Sequence, residues 1–168
     1  MNSLRVFFAR LPPTAIAAAA VLFVSALSSS PSAFADNKRL NESVFVNIYT
    51  AQQRNGCTTD PKIDPRLIEA ARRHTLDARD HRDINGDIDS DSTTPQDRAV
   101  AAGFTGPVAE TIAINPALAI SGIEILNQWW YDPASRAMMQ DCRNTAIGVW
   151  SENSLDRTVV VAVYGQAG

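Results

Sequence analysis

Two histidines, His74 and His81, are the only imidazoles in this 168-residue chain. Beside a serine and a carboxylate, either could serve acyl transfer; beside a second imidazole or a thiolate, either could hold a metal. If one unbroken helix carries both, the seven residues between them span about 10 Å along its axis, too far to share an ion. His74 follows Leu67 and Ala71 on an apolar stripe and reads as a hydrogen-bonded core histidine. His81 ends that helix or lies just past it. Cys57 and Cys142 have no neighbouring Cys or His at a zinc spacing. They read as a disulfide closing a long loop, with two ligands of a metal site as the alternative.

The stretch Asp83-Ile84-Asn85-Gly86-Asp87-Ile88-Asp89-Ser90-Asp91 alternates oxygen-bearing side chains as calcium loops do. Its glycine falls at the fourth position instead of the sixth, and Thr94 stands where a bidentate glutamate should close the site. It reads as a solvated acidic loop, with calcium binding at most weak. Trp129 and Trp130 are adjacent, so a helix would turn one into the core and the other elsewhere. Asn41-Glu42-Ser43 matches the glycosylation acceptor.

Local signals place the elements around these residues. Leu40, Val44, Ile48 and Ala51 have helical spacing, closed by Asn55-Gly56. Asp64-Pro65 caps a helix running to about Asp80, and Thr94-Pro95-Gln96-Asp97 opens a short one that ends at Gly103. Val108 to Ala113 reads as a strand. Asn115-Pro116 is expected to cap a helix containing Leu118, Ile123, Leu126 and Trp130, and Asp132-Pro133 another. Ala146 to Trp150 and Thr158 to Tyr164 are β-rich and joined by a polar link, which predicts a hairpin. Helices first and a hairpin last argue for an α+β domain with an antiparallel sheet covered by helices.

The start of the chain has a different character. Arg5 and Arg10 precede the apolar run Ala15 to Leu27, and Ala33-Phe34-Ala35 follows a Ser/Pro stretch. That order of charge, apolar run and small residues is a signal peptide cut after Ala35, leaving one domain over 36–168. The run is too short for a membrane span, which takes about 20 apolar residues. Without Arg5 and Arg10, the chain's 15 basic and 18 acidic residues leave a net charge of −5. An acidic surface without Lys/Arg clusters excludes nucleic acid and anionic membrane as partners.

Five stretches, in order, resemble a known family: the His74 helix ending at His81; Thr94 to Ala99 with Ala102-Gly103-Phe104; Ala109-Glu110-Thr111-Ile112-Ala113; Trp129 to Arg136; and Ile147-Gly148-Val149 with Tyr164-Gly165. Together they resemble the bacterial branch of the CAP superfamily, the cysteine-rich secretory, antigen-five and pathogenesis-related (SCP-like) proteins. The resemblance implies an α-β-α sandwich, a small antiparallel sheet flanked by helices. It also implies a cleft where two histidines hold a divalent metal, commonly zinc, beside glutamates. His81 and Glu110 match the first histidine and a glutamate, while Ser135 stands at the second histidine. One imidazole and one carboxylate are too few for tight zinc, so no cofactor is expected and divalent metal binding is weak or absent. The expectation is a secreted, non-catalytic binding or interaction module with a degenerate metal cleft of His81, Glu110 and Ser135. Its partner would be an unknown extracellular ligand or protein, with small molecules or lipids in view. The alternative is a secreted hydrolase using the same three residues, although Ser135 lacks a G-x-S-x-G context.

Overall fold

The computed structural model describes residues 33–116 and 120–167. The signal-peptide expectation therefore falls mostly outside the described residues, as does Leu118. In chain order the elements are α1 (Ala33–Arg54), β1 (Lys62–Ile63), α2 (Pro65–Asp80), α3 (Pro95–Ala101), β2 (Val108–Asn115), α4 (Gly122–Tyr131), α5 (Pro133–Gln140), β3 (Ala146–Asn153) and β4 (Thr158–Gly165).

The strands form one sheet in the order β1-β3-β4-β2. The hairpin β3–β4 and the pair β2–β4 are antiparallel, while β1 adds a two-residue parallel edge to β3. β4 is buried along its whole length, because helices cover both faces of the sheet. Val159, Val161 and Val163 pack with Leu67, Ala71 and Ala78 of α2 and Ala99 of α3. Val160, Ala162 and Tyr164 face the opposite way, onto Val44 and Ile48 of α1, Ile125 and Trp129 of α4 and Met139 of α5. A strand buried on both faces has no polar alternation to show, which is why 158–164 reads as a continuous apolar run. The architecture is the expected α+β sandwich, with α2 and α3 in one layer and α1, α4 and α5 in the other.

Three caps lie where the sequence puts them: Asp64 accepts from the Arg66 N–H, Thr94 from Asp97 and Asp132 from Ser135. α2 closes so tightly on β3 that a Cβ at Gly148 would lie 2.1 Å from the Leu67 carbonyl carbon; only glycine permits that approach. Cys57 and Cys142 are disulfide-bonded with their Cα atoms 5.1 Å apart, joining the ends of α1 and α5.

Two expectations change. β1 carries no periodicity to read, being two residues held by Lys62 N–H to Thr145 O at 2.9 Å and Asp64 N–H to Ile147 O at 3.0 Å. The helix expected from Asn115-Pro116 starts later, at Ser121, whose side chain and that of Glu124 form a capping box. The later start fixes which face is buried: Ile125 and Trp129 are in the core, while Ile123 is exposed. Trp130 is half-buried beneath the Arg136 guanidinium.

Candidate functional site

α2 carries His74 on its buried face, and the groups that meet it come from the acidic loop and from β2. Its Nδ1 pairs with the Asp89 carboxylate of the acidic loop, its Nε2 lies 2.9 Å from the Gly86 carbonyl oxygen, and Glu110 Oε1 is 3.5 Å away. Both ring nitrogens face acceptors, and only a doubly protonated ring donates to both. Arg98 of α3 completes the cluster. One of its terminal nitrogens donates to both Glu110 oxygens, at 3.0 and 2.9 Å, and to the Asp87 carbonyl at 2.8 Å. The other donates to the Thr93 carbonyl at 3.0 Å and lies 3.1 Å from Asp89 Oδ2. His74 thus is the core histidine the apolar stripe predicts. The acidic loop is not wholly solvated: Asp89 turns inward to bind it to α2 and α3.

Burial pushes the Glu110 carboxyl up from an ordinary 4.5 to about 7, while the Arg98 and His74 charges hold it from rising further. A carboxyl raised on folding stabilises most below pH 4.5 and loses that contribution as pH climbs through about 7. We expect the stability advantage of wild type over Glu110→Gln to fall by up to about 3 kcal/mol between those limits. Urea titrations of both proteins across that pH range measure it. A flat difference would show that the carboxyl titrates normally.

His81 stands apart from this cluster. It closes α2 with its ring half exposed, and its Nδ1 lies 2.8 Å from Asp77 Oδ1 one turn earlier. Asp77 also accepts from the Ser90 N–H and hydroxyl, each at 2.7 Å. A carboxylate holding Nδ1 leaves Nε2 as the ring's free face, the usual arrangement of an oriented imidazole. The serine here binds the carboxylate, not the ring, so the group is an oriented base without a nucleophile.

Ser135 lies in the first turn of α5, where its side chain and N–H hold the Asp132 carboxyl below its ordinary range. That helix belongs to the α1/α4/α5 layer, whereas Glu110 pairs with Val163 and faces the α2/α3 layer. The structure therefore does not bring His81, Glu110 and Ser135 into one cleft. The sheet separates Ser135 from the other two, and no hydrogen bond or ion pair joins His81 to Glu110 among the described residues. Zinc does not fit this donor set: Glu110 is committed to Arg98, and no group of three His, Cys, Asp or Glu side chains among the described residues is placed to hold an ion. Asp77 was the legible part of what the sequence reading missed, four residues before His81 on one helical face. Asp89 and Arg98 carry no local signal of their role.

A further feature able to receive a partner is a cavity of about 370 Å³ where the N-terminal turns of α1 meet the sheet edge. Phe45, Ile63, Ile68, Ile147, Val149 and Trp150 form its apolar wall. Asn37, Lys38, Asn41 and Glu42 contribute the polar side chains, and Asn41 Oδ1 is buried with no hydrogen-bond partner among the described residues. The glycosylation motif at Asn41 thus lies inside a helix, on the cavity wall.

No family model and no curated protein matches the sequence. Solved structures do match the fold. An outer surface protein from Borrelia burgdorferi superposes with a TM-score of 0.65 at 16% identity, covering 76% of this chain and 92% of that one. An extracellular protein containing a SCP domain from Bacillus anthracis gives 0.67 at 16% identity, covering 78% of this chain and 41% of its own. A cysteine-rich secretory protein from Staphylococcus aureus gives 0.59 at 12% identity, covering 78% and 39%. The chain thus spans about two fifths of the length of the last two.

Proposed function

From a chain that has the SCP/CAP fold, we propose an exported binding module that takes an apolar ligand or segment in the cavity between α1 and β3 and performs no chemistry on it. The carrying observation is the cavity itself: about 370 Å³, within the roughly 300–1,000 Å³ usual for ligand clefts, with an apolar wall and a few polar groups. The side chains able to do chemistry are committed elsewhere, in the Arg98–Glu110 pair and the Asp77–His81 pair. Export with cleavage after Ala35 accords with the disulfide, which persists in oxidising compartments, and with the extracellular Bacillus protein of like fold. Cleavage there would start the exported chain at Asp36, inside the first turn of α1.

Ile63 and Ile68 lie at the cavity wall outside the closed core, so a charge there should disable binding without unfolding the domain. In the exported protein, Ile68→Glu should weaken binding of the fluorophore anilinonaphthalene sulfonate at least tenfold while the melting temperature moves by only a few degrees. Equal fluorescence enhancement in wild type and variant would refute the cavity as the binding site.

A further inference from the structure

The cavity lies along an open piece of sheet edge. Lys62 and Asp64 donate to the carbonyls of Thr145 and Ile147, so alternate residues of this segment direct their backbone groups outward, toward β1. Val149 is next in that alternation. β1 pairs only with Ala146 and Ile147, and no partner for the outward N–H and C=O of Val149 occurs among the described residues. Farther along β3 the start of α1 lies close, where the Ser151 hydroxyl donates to the Asn37 carbonyl at 3.5 Å.

We propose that the occupant of this cavity is an extended polypeptide segment that continues the β1 ladder by pairing its backbone with Val149 and donates an N–H to Asn41 Oδ1. The inference rests on the reading of the cavity as the binding site and narrows its ligand class. Two unmatched acceptors, the Val149 carbonyl and Asn41 Oδ1, require donors from the ligand. An acyl chain has none and would seal both away from water unpaired, a cost that disfavours it. A strand supplies N–H groups at the needed repeat, and alternate apolar side chains would enter the pocket against Phe45, Ile68 and Ile147.

The test uses the exported, isotope-labelled protein with two probes, the capped tetrapeptide acetyl-Val-Thr-Val-Thr-amide and decanoate. The peptide should slow hydrogen exchange at the Val149 amide at least tenfold, and decanoate should not. Asn41→Leu should weaken the peptide about tenfold while raising the melting temperature of the free protein, since it removes an unpaired buried acceptor. If only decanoate shifts the resonances of the cavity wall, the peptide inference fails and the cavity remains a binding site. If neither probe shifts them, both readings fail. A peptide that binds Asn41→Leu and wild type equally also overturns the inference.

Discussion

Replacing Arg98 with methionine should cost about 3–5 kcal/mol of folding stability, the range for removing one partner of a buried ion pair. Arg98 and Glu110 are both essentially inaccessible, with side-chain exposures of 2% and 0%. Removing the guanidinium takes the nearest fixed cation from the Asp89 carboxylate and from the buried Glu110 carboxyl, which loses the charge that holds it down. It also removes the Asp87 carbonyl's side-chain donor and one of the two donors to the Thr93 carbonyl, so the acidic loop should loosen first. Urea unfolding gives the magnitude, and amide exchange in residues 86–93 locates it. The double variant Arg98→Met, Glu110→Leu should recover much of the loss, because an apolar pair leaves no uncompensated charge. A loss below about 1 kcal/mol in the single variant would show that the cluster contributes little net stability.

The second large effect is at the disulfide. The bond joins residues 85 positions apart, and chain entropy over such a loop corresponds to about 4–5 kcal/mol relative to the open denatured chain. Cys57→Ser with Cys142→Ser should therefore lower the melting temperature by about 10–20 °C. Because the bond fastens the far ends of α1 and α5, the loss should appear as opening of their shared layer before the hairpin exchanges. A variant that melts within a few degrees of wild type would mean the denatured chain is already compact across that loop.

Much of the fold was legible because its signals are local. Asp64-Pro65, Thr94-Pro95 and Asp132-Pro133 each name a helix start within a few residues, and the valine run of β4 names a buried strand. The start of α4 was equally local, in Ser121 and Glu124, but Asn115-Pro116 offered a competing cap six residues earlier. β1 is two residues whose pairing is with a strand more than 80 positions away, so no window of the sequence contains its cause. The site was less legible for the same reason. His74 is readable as buried, yet its partners arrive from a loop and a strand separated from it by 12–36 residues. Motif order placed Ser135 with His81, but order along the chain is silent on which face of the sheet α5 covers.

The central position of β4 has a bearing on when the domain can close. β2 and β3 are joined in the sheet through this strand, and among the described elements it comes last in chain order. Until residues 158–165 are made, neither apolar layer has a completed sheet to close upon. Cys57 and Cys142 both precede β4 in the chain, so their native pairing is drawn together by a sheet that this strand completes.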